Sequence, residues 1–222
     1  MKLLLTAEHV LVRPPCWDDP FENFFLGAEF LTELGEKVSV AGLRDRWYGQ
    51  CWTFKRDSDA MWRIYSPDKC GIRIQTTVGK LFSSYYATSD KFAALKYFMG
   101  AVEYRPREGI EEFVQKTTFE ELAFGGNNLG FANTLLLKRS EFDHENEMRL
   151  LFYDAEGQFR GVDLLKIQCR NTDWIEEIGI DPRLDAQSFE AVAQEIRKAG
   201  CKVPIVQSDL YQISPLTIRV SS

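Results

Sequence analysis

The sequence predicts an α+β fold, a single mixed and mainly antiparallel sheet core with flanking helices. Short segments that alternate apolar and polar residues recur along the chain, and Gly71–Thr76 is the clearest of them. Stretches that are apolar at helical spacing lie between these segments, but the connections are too irregular for a doubly wound parallel sheet. A chain of 222 residues with 45% apolar content can bury one substantial core, so a single domain over 1–222 is expected.

Taken in order, Lys2–Thr6 reads as a short helical piece and His9–Arg13 as a strand that Pro14 and Pro15 end, because neither proline can donate a ladder hydrogen bond. Phe21–Leu34 is apolar at helical spacing. Gly49–Phe54 reads as an aromatic-rich strand, and Asp57, Ser58 and Asp59 are good caps for a helix through Tyr65 that Pro67 closes. After the strand at Gly71 come a helix from Val78 to about Tyr86, a strand near Gly100–Tyr104 and a helix near Phe113–Phe124. Gly125, Gly126, Asn127 and Asn128 form a turn, since glycine and asparagine tolerate positive φ. Met148–Tyr153 and Ile175–Ile180 read as strands, and Ser188–Lys198 as an amphipathic helix with Phe189, Val192 and Ile196 on one face. Leu216–Val220 alternates again, as an edge strand would.

A net charge of −6 argues against general binding to a nucleic-acid backbone or an anionic membrane. The five cysteines lie far apart with neither a CxxC pair nor a zinc spacing, which suits free thiols in a reducing, cytoplasmic setting. Leu3–Leu5 begins like a signal peptide, but Glu8 and His9 interrupt the apolar run, and no stretch reaches the length of a membrane span.

Three clusters could carry chemistry. In Trp17–Asn23, Asp18 or Asp19 could cap a helix that starts at Pro20, or one of the carboxylates Asp18, Asp19 and Glu22 could point into a cleft as an acid/base group or as a partner of an arginine. In Ser58–Ser66, Trp62 and Tyr65 stand three apart on one helix face, either as a core contact or as a stacking wall for a base, with Ser66 at the helix end. The segment Lys138–Arg149 is the densest: if a strand begins near Glu147, then Glu147 and Arg149 share one face, at a sheet edge, while Met148, Leu150 and Phe152 face the core. An ion pair to Arg149 would keep Glu147 ionised. The alternative is a solvated charge run, and a metal site built from Asp143, His144, Glu145 and Glu147 matches no specific spacing. No Walker loop, dinucleotide glycine fingerprint, nucleophile elbow or HExxH occurs.

In order and combination, these parts resemble an uncharacterised prokaryotic family, domain of unknown function 2971. The resemblance rests on Asp19-Pro20-Phe21-Glu22, Cys51-Trp52, Met61-Trp62-Arg63-Ile64-Tyr65-Ser66, Gly71-Ile72-Arg73-Ile74, and a later element of Lys138, Phe142, Glu145, Glu147 and Arg149. Family members open with a further strand and most of a helix before the first of these motifs, whereas this sequence opens at Met1 inside what resembles that helix. Either the start is short or upstream residues are missing, and if such a strand supplies a site residue in the family, this copy would be inactive or would complete its site with a partner. The family label implies no reaction.

A fold-level resemblance to ADP-ribosyltransferases does imply one. It puts Tyr65 and Ser66 near a nicotinamide pocket and has Glu147 or Glu145 stabilise the oxocarbenium-like state as nicotinamide leaves. On that reading the catalytic residues are Glu147 and Glu145, and Asp19, Glu22, Trp62, Tyr65, Ser66 and Arg149 bind the substrate. NAD or a small nucleotide is the ligand, in a cytoplasmic enzyme of bacterial stress or phage defence. The alternatives left open are a metal-dependent phosphodiesterase or nuclease and a non-catalytic binding or regulatory module, with a protein partner or homo-oligomer in view.

Overall fold

In the computed structural model the described residues are 7–31, 35–39, 41–118, 122, 128–170, 173–213, 215 and 217–219. They group into two compact units, one drawn from 1–55 and 78–174 and the other from 56–77 and 175–222. Each is described by itself.

The first unit holds β1 (Glu8–Val12), β2 (Glu29–Leu31), β3 (Lys37–Ser39), β4 (Trp47–Thr53), β6 (Tyr97–Ala101), β7 (Glu103–Arg105), β8 (Leu137–Arg139), β9 (Glu147–Tyr153) and β10 (Leu164–Gln168). Five of these form an antiparallel sheet in the order β10-β1-β4-β9-β6. Strand β9 lies inside that sheet, in register with β4 from Thr53↔Glu147 to Trp47↔Tyr153 and with β6 from Ala101↔Met148 to Tyr97↔Phe152. Glu147 is thus at the end of an interior strand, not at a sheet edge. Residues Glu147 to Phe152 are all buried, so both faces of β9 are covered. Met148, Leu150 and Phe152 occupy one face as expected. On the other, Leu151 packs into a hydrophobic cluster with Phe25, Leu26, Trp47, Phe131 and Leu135, and Arg149 and Glu147 continue that same face.

The expected helix over Phe21–Leu34 is absent among the described residues. Two 3-10 turns, Pro20–Asn23 and Phe25–Gly27, lead instead into β2, which pairs with β3; 32–34 lie outside the described residues. The turns close through Glu22 N–H to Asp19 O at 3.0 Å and Ala28 N–H to Phe25 O at 3.1 Å. Packing outweighs propensity here: Phe25 meets Phe24, Phe30 and Phe113 with ring centroids 5.7 to 6.0 Å apart, which turns the aromatic run onto the sheet rather than along one helix.

The strand expected near Gly100–Tyr104 divides at Val102. Residues up to Ala101 stay in the large sheet, whereas β7 pairs in parallel with β8, matching Tyr104 with Lys138 and Arg105 with Arg139. Between these strands lie the helices Arg107–Lys116 and Leu129–Thr134; the first starts earlier than expected because Pro106 is extended and supplies the N-cap. Residues 119–121 and 123–127 lie outside the described residues, including Gly125–Asn127 of the expected turn; Asn128 does take positive φ, at 62°. From β8 a 3-10 turn, Ser140–Glu145, leads to Asn146, whose left-handed backbone (φ 44°) reverses the chain into β9.

The second unit is a three-stranded sheet in the order β12-β11-β5, with β5 (Ile72–Gln75) antiparallel to β11 (Glu177–Ile180) and β12 (Ile205–Gln207) parallel to it. Its helices are as expected. Ser58 caps Asp59–Tyr65, and Asp185 caps Ala186–Lys198, whose Ala193 and Ile196 are buried. Thr217–Arg219 form no strand, while Leu216 and Val220, like Lys2–Thr6, lie outside the described residues. Among the described residues no helix is long and apolar enough to cross a membrane. The fold is therefore α+β and mainly antiparallel.

Candidate functional site

The end of β9 meets β8, the 3-10 turn Ser140–Glu145 and the segment Pro14–Asn23, and the charged residues of all four converge. Arg149 is fully buried. Its Nε donates to Glu147 Oε1 at 2.8 Å, and Nη2 donates to Glu147 Oε2 at 2.9 Å and Glu22 Oε2 at 2.6 Å. Its Nη1 donates to Leu135 O at 2.6 Å. Lys138 Nζ stands among three carboxylates, 2.5 Å from Glu145 Oε2, 2.9 Å from Glu22 Oε1 and 3.1 Å from Glu147 Oε2. Beside them Arg139 grips Asp19, Nη2 to Oδ1 at 3.0 Å and Nε to Oδ2 at 3.3 Å.

Rings close over the cations. The Trp17 indole lies 4.4 Å from the Arg149 guanidinium carbon, Phe142 lies 4.9 Å from Lys138 Nζ, and Phe21 lies 4.5 Å from the Arg139 guanidinium. Tyr104 accepts the Glu147 N–H at 2.8 Å, and Thr53 donates to Glu145 O at 2.5 Å, which ties the start of β9 to its neighbours.

Burial alone would raise the Glu22 and Glu147 carboxyls, and the neighbouring cations oppose it. For Glu22 desolvation wins and the carboxyl lies above its ordinary range, against the pull of Arg149 and Lys138. For Glu147 burial also pushes upward, but the Arg149 hydrogen bonds and charge outweigh it and hold the carboxyl below that range. Burial pulls Lys138 and Arg149 down, yet Glu145 and Glu22 hold the ammonium, and Glu147 the guanidinium, well above their usual ranges.

The structure therefore brings together Asp19, Glu22, Glu145, Glu147 and Arg149. Asp19 plays both roles that its sequence context allowed, accepting Phe21 N–H as a cap at 3.1 Å while pairing with Arg139. Trp62, Tyr65 and Ser66 belong to the second unit. Trp62 is buried and its Nε1 donates to Asp57 Oδ1 at 2.6 Å, whereas Tyr65 is 63% exposed, so the two rings do not form one wall. Ser66 Oγ donates to Asp181 Oδ2 at 2.7 Å and accepts Gly71 N–H at 2.9 Å. Arg183 Nη2 donates to Trp62 O at 2.9 Å and Ser66 O at 2.5 Å, which caps the helix end.

Sequence reasoning put Lys138 and Arg139 in the densest charged segment without a specific role for either, and gave none to Tyr104 or Trp17. Their signal was the Lys138-Arg139 pair just before the acidic run; nothing local pointed to Tyr104 or Trp17. Among the described residues no group of three His, Cys, Asp or Glu side chains is placed to hold a metal ion. Lys138 takes the central position that a cation would need among Glu22, Glu145 and Glu147.

No curated protein and no solved structure matches the chain, so the likeness to ADP-ribosyltransferases has no counterpart there. Residues 61–150, the segment that carries Trp62, Lys138, Glu145, Glu147 and Arg149, match the family model described as protein of unknown function (DUF2971).

Proposed function

We propose that this protein is a non-catalytic binding or regulatory module in which the charged cluster is an internal ionic frame. One observation carries this reading. Both oxygens of Glu147 already accept from Arg149, one also faces Lys138, and the side chain is 4% exposed. A carboxylate that stabilises an oxocarbenium-like ribose needs an open face toward the sugar, and Glu147 has its lone pairs engaged by protein donors. A cytoplasmic setting and a protein partner or second copy fit this reading.

The NAD-handling reading keeps one specific support. Glu145 ends a 3-10 turn and, at 9%, is the most exposed of the three carboxylates around Lys138, so it rather than Glu147 would face a nicotinamide ribose. Bacterial stress or phage defence belongs to that reading.

Nicotinamide release from NAD, measured for the wild type and for Glu145→Gln and Glu147→Gln, separates the two. The module reading expects no release by the wild type and lowered stability in Glu147→Gln. Release that either variant abolishes while remaining folded would overturn it.

A further inference from the structure

We propose that Pro14–Asn23 is an autoinhibitory strap whose carboxylates occupy a cationic site for a small ligand bearing two neighbouring oxyanion groups. This deepens the binding-module reading and rests on it.

Two of the strap's backbone bonds run within it, from Trp17 N–H to Pro14 O and from Glu22 N–H to Asp19 O, and Cys16 N–H donates to the adjoining Arg13 O. Its side chains reach the cations of β8 and β9. Glu22 bridges Lys138 and Arg149 with one oxygen on each, at 2.9 and 2.6 Å, and Asp19 sets its two oxygens against the fork of Arg139. Trp17 and Phe21 cover Arg149 and Arg139. Gly49 makes room for the cover, since a Cβ there would come within 2.6 Å of Trp17 Cζ2.

These contacts are the ones that phosphoryl or carboxyl groups of a ligand would make: two oxygens bridging a lysine and an arginine, and two more on a guanidinium fork. Charge points the same way. With the strap seated, Lys138, Arg139 and Arg149 face four carboxylates; without Asp19 and Glu22, the same three cations face only Glu145 and Glu147. Lifting the strap thus turns the site from a net negative to a net positive one, which attracts an anion.

The test is calorimetric titration of the full chain with inorganic pyrophosphate and, separately, with succinate. Glu22→Gln keeps the side-chain volume and removes the competing charge. It is expected to bind pyrophosphate about tenfold or more tightly than the wild type, because the open state no longer has to be won from the strap. Adding Lys138→Met should remove that binding. Preference for pyrophosphate over succinate assigns a phosphate ligand, and the reverse assigns a dicarboxylate.

Equal affinity in wild type and variant, or no binding of either anion by folded Glu22→Gln, overturns the strap. The module reading is unaffected by that result, because nicotinamide release tests it separately. If Glu22→Gln does not fold, amide exchange of the wild type decides: millimolar pyrophosphate should speed exchange at Trp17 and Glu22, and unchanged or slower exchange overturns the proposal.

Discussion

Replacing Arg149 by methionine keeps most of the stem volume and deletes the guanidinium. In the folded protein that group donates two hydrogen bonds to Glu147, one to Glu22 and one to Leu135 O, with no exposure to water. Glu22 and Glu147 would be left buried with Lys138 as their shared cation. Breaking a buried ion pair from one side costs roughly 3–5 kcal/mol, because the stranded charge cannot be resolvated. For a chain of this length that corresponds to a loss of roughly 10 °C in Tm. Urea unfolding followed by tryptophan fluorescence would measure it. The companion Glu147→Met/Arg149→Met double variant should recover part of the loss, since an apolar pair of similar volume strands less charge. Two results would refute this reasoning. If Arg149→Met lies within about 1 kcal/mol of the wild type, the network is not a frame. If the double variant is destabilised by the full sum of the single effects, packing rather than charge accounts for the loss.

The remaining predictions concern other parts of the two units. His9 is buried beside Trp174 and Tyr85, and its Nε2 lies 2.8 Å from Ser84 Oγ, which itself donates to Leu81 O at 2.7 Å, so Nε2 carries the proton. Desolvation lowers the imidazole from 6.5 to about 4. The unfolded chain therefore takes up the proton first: this contribution is complete above pH 6.5 and is lost as the pH falls toward 4, by up to about 3 kcal/mol. His9→Gln should flatten stability against pH across that window in denaturant titrations. Gly49→Ala should destabilise by about 1–3 kcal/mol, with a change in tryptophan emission as Trp17 shifts, because the new methyl would also sit 3.2 Å from Leu151 Cδ2. Gly79→Ala, where an added Cβ meets nothing within 4 Å in the helix Val78–Tyr85, should stabilise by about 0.5–1 kcal/mol in the same assay. In the second unit, Ser66→Ala removes the donor to buried Asp181 and should lower amide-exchange protection in β5 and β11 by about 1–3 kcal/mol.

Local chemistry made some elements readable and left others hidden. The capped helix Asp59–Tyr65, β5 and the core of β9 could be read because their caps and periodicity lie within a few residues. Phe21–Leu34 misled, since aromatics at helical spacing do not reveal that Phe25 packs against Phe113, nearly ninety positions away. Strands β8 and β12 span three residues each, too short to show a period, and β10 carries exposed Leu164 beside exposed Lys166, which blurs its alternation. The candidate site shows the same split. Glu147 and Arg149 were readable as one face of a strand, but Glu22 reaches Arg149 across 127 positions. That convergence comes from topology, and it converts what reads as a solvated charge run into a buried one.

The second unit has a consequence for the order in which the chain acquires structure. Strand β5 leaves the ribosome about a hundred residues before its partner β11, and β12 follows later still. Closing so long an interval is entropically costly and slow. The early segment must wait, unpaired, while most of the first unit is synthesised around it. A chain that stops before Glu177 can assemble the five-stranded sheet of the first unit but leaves Ile72 and Ile74 with no strand to cover them. During that interval Ile72–Gln75 is a short strand with open edges, and pairing with a neighbouring nascent chain competes with its own completion.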